Sequence, residues 1–450
     1  MNMLLKGGQL VLENAVMYGD LRISDEKIVE INETLVPKAD EKVIDVTGKV
    51  IMPGIIDGHV HYKMPIGKMY TIDNFETGSR SALAGGVTTV VDFADAIPEK
   101  SLVESMKYRI KEASGHSFVD HTFHMAFEGK TDYDIKDLIE IRKFGINSLK
   151  VYTTYSMIMD YDKIFALMLM AKEAGLIVSI HAEDNQILYN KKKEFIDSGR
   201  VGVEYYGESR PVEAECYSIR KIIDFCESND VSVHIMHVSS GSAASIILEA
   251  KKRGVNISAE TCPQYLMLND RKYHGENKAF YTISPPLRNE DERMELLNCY
   301  YNNTFNYVTT DHCSFSALQK EYSDKFFEIS GGMPGTETLL PIMYHCSVNL
   351  GGMSVVDLCQ LLSTNTAKKF GLYPKKGALN VGADADIVVF NPEKEICLSN
   401  EKAFSAADYT PYDGVVVKGM PEMTILRGKI MFKDGSFPTG DAKGKFVPCY

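Results

Sequence analysis

The middle of the chain alternates between short apolar runs and longer stretches in which apolar residues recur at helical spacing. The runs that predict strands are VIMPGIIDGHVH, TTVVDFA, HTFHMAF, SLKVYTT, LIVSIHAE, VHIMHVSS, VNISAETCP and NYVTTDH. Each run is nearly continuous in apolar residues, which is typical of parallel strands covered on both faces. Helical patterns separate most of them, around residues 101–114, 161–174, 212–227 and 241–253. The pattern predicts an α/β fold, a TIM-like (β/α)8 barrel over residues 51–376, which lies within the size range of that fold with insertions.

The two ends of the chain have a different sequence pattern. Short strand-like pieces punctuated by Gly and Asp, such as LLKGGQLVLE and DLRISDEKIVEI, fill the first 50 residues. The same pattern of short strand-like pieces returns near the C-terminus in ADIVVFNP and KIMFKDG. We therefore expect residues 1–50 and 377–450 to form one small β-sandwich domain together, with the last residues as a tail.

Imidazole and carboxylate side chains stand where the predicted strands end. His59 and His61 close the first run, His181 the fifth and His237 the sixth, and Asp311 follows the eighth. The active site of a (β/α)8 barrel lies at the C-terminal ends of its strands, so these side chains are expected to converge. The H-x-H spacing points both imidazoles to one side of the strand, because side chains alternate with a period of two. A two-metal hydrolase site is the leading hypothesis.

Three other histidines lie in the predicted strands. An isolated histidine in an apolar strand is more often a hydrogen-bonded core residue than a ligand. His121, His124 and His234 are therefore assigned structural roles.

Lys150 lies inside the apolar, β-branched run SLKVYTT. Burying an ammonium group is costly, and a lysine in a strand usually extends its amine to the surface. Among metal ligands it has another option, because an uncharged amine can take up CO₂ and become a bidentate carbamate. Burial lowers the pKa of lysine and favours that uncharged form. We predict that Lys150 is carboxylated and bridges two metal ions roughly 3.5–4 Å apart.

Composition and charge exclude some functions. Of 450 residues, 44% are hydrophobic and 24% are charged, and the formal net charge is −12. This acidic balance argues against nucleic acid or an anionic membrane as the main partner. No apolar stretch reaches ~18 residues and no signal-peptide pattern opens the chain, so we expect a soluble, cytoplasmic protein. The nine cysteines form no CxxC pairs. Four of them lie in apolar or small-residue surroundings and are interpreted as reduced core thiols: Cys262, Cys313, Cys346 and Cys359.

Several longer motifs resemble those of the cyclic amidohydrolases, specifically the dihydropyrimidinase/hydantoinase branch. They are HVH, SLKVY, HAED, HVSSG, AETCPQYLMLND, SPPLRN, TTDHCSFS and GALNVGADADIVVFNP. The resemblance runs nearly end to end, and ETCPQYL and SPPLR are its most specific parts. It implies two divalent metal ions, with zinc as the expected metal and cobalt or manganese as alternatives.

The resemblance also assigns the ligands. His59, His61 and Asp311 would hold the more buried ion, and His181 and His237 the more exposed one. The N6-carboxylysine at Lys150 would bridge the two ions. These assignments rest on the family likeness.

The same resemblance implies the reaction and the residues that meet the substrate. A hydroxide bridging the two metal ions would attack the ring carbonyl of a dihydropyrimidine or a 5-substituted hydantoin, which yields an N-carbamoyl amino acid. Tyr155 would donate a hydrogen bond to the developing oxyanion, and Asp311 would move the proton. Ser284 would hold the small cyclic ureide through its backbone. Pro334 stands where the family often has an Asn with a backbone contact.

Some alternatives within the resemblance stay open. Lys63 stands where dihydroorotases use an Arg for the substrate carboxylate, so it is either an anion contact or a solvated loop charge. Dihydroorotase or allantoinase activity is the alternative function, and a non-catalytic dihydropyrimidinase-related scaffold is a remote one. The family likeness implies a homotetramer (or a homodimer), with the C-terminal KGKFVPCY tail extending to a neighbouring subunit.

Overall fold

The structure, a computed structural model, describes residues 2–67, 69–438 and 443–450. The strands are β1 (Met3–Val11), β2 (Val16–Ser24), β3 (Lys27–Asn32), β4 (Lys42–Asp45), β5 (Val50–Pro53), β6 (Ile55–Asp57), β7 (Pro65–Ile66), β8 (Met69–Tyr70), β9 (Val87–Asp95), β10 (Asp120–Ala126), β11 (Ser148–Tyr152), β12 (Ile177–His181), β13 (Val233–Ile235), β14 (Ile257–Thr261), β15 (Tyr307–Val308), β16 (Ile387–Cys397), β17 (Val416–Leu426) and β18 (Lys429–Lys433). The α-helices are α1 (Phe75–Ala84), α2 (Leu102–Ala113), α3 (Ile135–Phe144), α4 (Tyr161–Ala174), α5 (Asn185–Asp197), α6 (Val212–Asn229), α7 (Gly241–Lys252), α8 (Pro263–Met267), α9 (Glu290–Tyr301), α10 (Ala317–Lys320), α11 (Leu339–Met343), α12 (Val355–Cys359) and α13 (Asn365–Lys369).

A parallel barrel forms the centre of the molecule. Within the described residues its eight strands follow the order β6-β9-β10-β11-β12-β13-β14-β15, so each strand pairs with the next one along the chain. A parallel bridge between Val60 and His312 joins the chain after β6 to the chain after β15, and the N–H of His61 donates to the carbonyl of His312 at 2.7 Å. The predicted TIM-like (β/α)8 fold is confirmed. Helices α2, α4, α6 and α7 lie at the four positions where the sequence predicts helices.

The first predicted strand is two strands. The run VIMPGIIDGHVH divides at Gly54 into β5 and β6. Strand β5 pairs with β1 and β16, whereas β6 pairs with β9 of the barrel. A Cβ atom at Gly54 would lie 2.1 Å from Oγ1 of Thr88, so only glycine fits where the chain passes from one sheet to the other. The expectation of one continuous barrel strand was wrong, because hydrophobicity does not show which sheet a buried strand joins.

Both ends of the chain build the second sheet. Its order is β18-β17-β16-β5-β1-β2-β3, with β4 beside β1, and it has its own apolar core that includes Leu5, Leu21, Ile51 and Ile387. This confirms that the two termini form one β domain. The boundaries at 50/51 and 376/377 stay a prediction.

The C-terminal tail binds its own chain. The N–H of His121 donates to the carbonyl of Lys445 at 3.0 Å, and the N–H of Val447 donates to the carbonyl of His121 at 2.9 Å. Cys449 donates its N–H to Gly145 at 2.7 Å. The tail therefore lies along β10 at the N-terminal end of the barrel, and its contact with a neighbouring subunit stays a prediction.

A buried ion cluster connects the barrel to the terminal sheet. Lys376 Nζ lies 2.7 Å from Asp120, 3.1 Å from Asp384 and 2.6 Å from Asp386. Arg427 forms a further close ion pair with Asp120.

Among the helices that the structure describes, none is long and apolar enough to cross a lipid bilayer.

Candidate metal centre

Three of the predicted ligands meet directly. His59 and His61 follow β6, and Asp311 follows β15, so barrel closure brings them together although about 250 residues of sequence separate them. The Nε2 atoms of the two imidazoles lie 3.1 Å apart, and each lies 3.1 Å from Oδ1 of Asp311. All three residues are buried and their ligand atoms lie within 4.8 Å of one another, a geometry that could hold a metal ion.

Glu260 sets the orientation of His59. Its Oε1 lies 2.6 Å from Nδ1 of His59, and its Oε2 lies 3.0 Å from Nε2 of His234. A carboxylate on one imidazole nitrogen leaves the lone pair of the other available, as is common for histidine ligands of metals. Burial alone would lower the pKa of His59, but the charges of Asp311 and Glu260 raise it to about 9. The site therefore concentrates negative charge around an imidazole, which suits a cation.

A second histidine pair lies beside the first cluster. Nδ1 of His181 and Nε2 of His237 lie 3.0 Å apart. Nε2 of His181 donates to Oε2 of Glu183 at 2.8 Å, so its Nδ1 lone pair points toward His237. Burial lowers the pKa of His181 to about 4, which keeps it in the neutral form that binds metals.

Lys150 is buried among these side chains, in the middle of β11. Its amine contacts Sδ of Met236 at 2.8 Å and lies 4.9 Å from the ring centroid of Tyr152. Among the described residues no carboxylate forms an ion pair with it, and burial lowers its pKa to about 8, against the charges of Asp311 and Glu260. A substantial fraction of the amine is therefore uncharged near neutral pH, as uptake of CO₂ requires.

Backbone strain also collects at this site. Tyr155, His237 and Asp311 have φ angles of 71°, 36° and 51°, in the left-handed region that side chains rarely adopt. Such conformations persist where the surrounding structure holds them and are frequent at functional sites. The strain marks the strand ends that carry the predicted ligands.

A cavity of about 770 Å³ opens above the cluster. All six predicted ligands line it, and so do Tyr155 and Ser284. Part of its wall is apolar and includes Met64, Ile66, Met157, Leu188, Phe326 and Phe327. A cavity of this kind accepts a small molecule with an apolar substituent.

Two predicted substrate contacts are not brought to this cavity. Lys63 is not among its lining residues, and its amine forms an ion pair with Glu112 at 3.0 Å. Pro334 lines a separate cavity of about 430 Å³ between the barrel and the terminal sheet. Both residues are near active-site motifs in the sequence, but neither lines the active-site cavity.

Sequence reasoning missed three charged residues of the site: Glu183, Arg210 and Glu260. Glu260 is a fully buried carboxylate within the strand-like run VNISAETCP, and that misplaced charge could have identified it. Glu183 is two residues from His181 in HAED, where the alternation of side chains could have suggested a partner for the imidazole. Arg210 lies on a loop before α6, and no local pattern distinguishes it.

The (β/α)8 barrel with histidine and aspartate ligands at its C-terminal rim defines the class, a metal-dependent hydrolase. Comparison with known proteins gives the family. The model of the amidohydrolase family matches residues 50–431. D-hydantoinase of Geobacillus stearothermophilus is 34% identical over 99% of this chain and 96% of its own. D-phenylhydantoinase of Escherichia coli (strain K12) is 29% identical over 99% of this chain and 98% of its own.

A solved structure agrees over the whole chain. The crystal structure of dihydropyrimidinase from Brevibacillus agri NCHU1002 superimposes with a TM-score of 0.96 at 32% identity, covering 100% of this chain and 99% of that one. The chain belongs to the amidohydrolase family. The resemblance found in its motifs is confirmed, and the protein is a cyclic amidohydrolase.

Proposed function

We propose that this enzyme hydrolyses the cyclic amide bond of dihydropyrimidines or 5-substituted hydantoins and releases N-carbamoyl amino acids. The observation that carries the proposal is the convergence of six potential ligands on the floor of one cavity, with Tyr155 in its wall. The names of the relatives, D-hydantoinase and dihydropyrimidinase, support the substrate class.

The residues present fit two divalent ions. His59, His61 and Asp311 would hold one ion, and His181 and His237 the other, with the carboxylated Lys150 between them. Zinc suits this mixture of imidazole and carboxylate ligands. Two such ions would supply Lewis acidity, which activates water at neutral pH and polarises a carbonyl group.

Asp311 is proposed to move the proton. Its Oδ1 faces His59 and His61, which leaves Oδ2 to accept a proton from the attacking water. The new carbon–oxygen bond forms first and leaves a tetrahedral oxyanion. Asp311, a general base that becomes a general acid, then returns the proton to the ring nitrogen as the C–N bond breaks. Burial raises the pKa of Asp311, but the imidazoles beside it hold that pKa well below its usual value.

Tyr155 and Ser284 are proposed to bind the ring. The hydroxyl of Tyr155 would donate to the carbonyl oxygen as negative charge develops on it. The hydroxyl of Ser284 is bonded to that of Tyr206 at 2.7 Å, which fixes the residue so that its backbone can meet the ring amide. The apolar wall would accept the substituent at carbon 5.

Dihydroorotase activity is less well supported than hydrolysis of dihydropyrimidines or hydantoins. That alternative used Lys63 as a contact for the substrate carboxylate, but its amine is paired with Glu112 outside the cavity. We propose no role for Lys63 or Pro334 in binding the ring.

A hydrolysis panel tests the proposal. Purified enzyme with measured metal content would be assayed against dihydrouracil, hydantoin, phenylhydantoin, allantoin and dihydroorotate. We expect turnover of one of the first three compounds, loss of that turnover after chelation and its return with zinc. Asp311→Asn should lose at least ~10²-fold in kcat, which is the low end of proton-transfer catalysis, while the exposed control Asp324→Asn should not. Hydrolysis of dihydroorotate or allantoin alone would overturn the substrate class, and near-normal Asp311→Asn would overturn the role of Asp311.

The family likeness further supports a cytoplasmic homotetramer (or homodimer). Light scattering on the purified enzyme measures this, and a monomer would overturn it.

A further inference from the structure

Arg210 contacts two residues, Tyr155 and Glu183, that have separate roles in the proposed reaction. It lies on the loop before α6, lines the cavity, and its side chain is 16% exposed. Its Nη2 forms a close ion pair with Oε2 of Glu183 and donates to Oη of Tyr155 at 3.1 Å. Glu183 in turn accepts from Nε2 of His181 at 2.8 Å. One guanidinium thus contacts the proposed oxyanion donor and the carboxylate that orients a metal ligand.

The direction of the hydrogen bond to Tyr155 is fixed by chemistry. A guanidinium group carries donors and no acceptor, so the phenol oxygen must accept from Arg210. The hydroxyl hydrogen of Tyr155 is then directed away from Arg210. It remains available for an acceptor in the cavity, which is what stabilising an oxyanion requires.

The charge of Arg210 is already compensated. Glu183 is fully buried and pairs with it, so Arg210 does not offer a free positive charge to an anionic substrate. A buried pair of this kind gives orientation more readily than net stability. This favours a positioning role over substrate binding.

The backbone of Arg210 is itself held in place. Nη1 of Arg288 donates to the carbonyl of Arg210 at 2.5 Å, and Nε of Arg288 donates to Ser239 at 3.0 Å. Tyr155, by contrast, lies on a loop with a left-handed backbone, φ 71°. The fixed residue can therefore position the strained one.

We propose that Arg210 is a positioning residue that holds the Tyr155 phenol as a hydrogen-bond donor to the oxyanion, with Glu183 holding the guanidinium. This deepens the proposed function and rests on it. Arg210 acts through Tyr155, so its loss should matter only while the Tyr155 hydroxyl is present.

A double-mutant cycle tests this dependence. Arg210→Gln should lower kcat on the best substrate of the panel by ~10–10²-fold, somewhat less than the loss of an oxyanion donor itself. KM should change less than about threefold, because uniform binding is not affected. In the Tyr155→Phe background the same substitution should cost less than about threefold. Arg200→Gln, at an exposed ion pair with Glu194, is the matched control and should leave kcat unchanged.

Two readouts do not depend on turnover. Metal content should stay at the wild-type value in Arg210→Gln, and a crystal structure should show the Tyr155 ring displaced from its wild-type position. Arg210→Lys keeps the charge and a donor group but not the planar fork of the guanidinium, and it should restore part of kcat and the ring position. If Arg210→Gln does not fold, the cycle of Arg210→Lys with Tyr155→Phe replaces it, with the same expected non-additivity.

Three results would overturn the inference: additive losses in the cycle, an unmoved Tyr155 ring, or a loss of metal that accounts for the loss of kcat. Failure of the proposed function looks different. In that case the wild-type enzyme itself hydrolyses none of the first three panel compounds, and the crystal structures still decide whether Arg210 positions Tyr155.

Discussion

Two of the buried lysines of this protein differ in their surroundings, Lys150 at the metal centre and Lys376 where the barrel meets the terminal sheet. Both are at most 2% exposed. Lys376 contacts three carboxylates at 2.6–3.1 Å, and although burial opposes it, their charges raise its pKa above the ordinary lysine value. Lys150 contacts a thioether sulphur, and burial lowers its pKa to about 8. Equal burial thus produces a fixed cation at one site and a partly neutral, reactive amine at the other.

The difference lies in which groups surround each amine. The carboxylates Asp120, Asp384 and Asp386 could in principle hold a metal ion, but the lysine already satisfies them. At the metal centre the nearby carboxylates Asp311 and Glu260 are bonded to imidazoles instead. Buried acidic groups therefore indicate a metal site only where no lysine or arginine of the protein neutralises them.

The largest expected effect comes from removing the amine at the metal centre. Lys150→Met should lower kcat by at least ~10³-fold, because losing a Lewis acid costs several kcal/mol of transition-state stabilisation. Metal content should fall, whereas the melting temperature of the metal-free variant should match that of the metal-free wild-type enzyme, since a methionine replaces an amine without an ion pair. Metal analysis, kinetics and thermal unfolding measure this. Full activity in the variant would show that Lys150 is not a bridge.

Removing the amine of Lys376 should have the opposite result, a loss of stability without a loss of metal or kcat. Lys376→Met leaves buried carboxylates without their main partner, so the free energy of unfolding should fall by about 3–5 kcal/mol. Urea denaturation measures it. The folded fraction should keep its metal and its kcat, and selective loss of metal with normal stability would refute the comparison.

A smaller effect is expected at the carboxylate behind His59. Glu260→Gln keeps the shape but removes the charge that orients the imidazole, so metal affinity should fall by ~10–100-fold. Competition with a chelator measures the affinity. Glu337→Gln is the control, because Glu337 is a partly buried carboxylate that accepts hydrogen bonds from Ser81 and Phe404 away from the ligands. Equal losses in both variants would remove the assigned role of Glu260.

The smallest effect concerns pH. With a pKa of about 8, the uncharged fraction of Lys150 should fall about tenfold for each pH unit below that value and level off above it. Metal-free enzyme would be incubated with isotope-labelled bicarbonate at constant dissolved CO₂, then loaded with zinc. Incorporation of label, detected by NMR, should rise from pH 6 to pH 8. Label on Lys376, which stays charged, or incorporation independent of pH would contradict this prediction.

Much of the site could be predicted from sequence because its signals are local. The positions of His59, His181 and Asp311 follow from where apolar runs end, and a barrel collects all strand ends at one rim. What the sequence left open depends on distant partners. Lys63 pairs with Glu112, 49 residues away in sequence, and no spacing rule predicts that contact. Pro334 stands where the family often has an Asn, yet it lines the other cavity.

What the sequence by itself determined is the order of strands and helices and the six side chains that end at the barrel rim. Only the tertiary structure decided that β5 leaves the barrel for the terminal sheet, that the tail binds β10, and that Arg210 and Glu260 support the site. It also decided the difference between Lys150 and Lys376. Periodicity and strand ends are properties of short segments, whereas a pKa depends on charges that folding brings from distant parts of the chain. Lys376 and Asp120 are 256 residues apart in sequence and 2.7 Å apart in space.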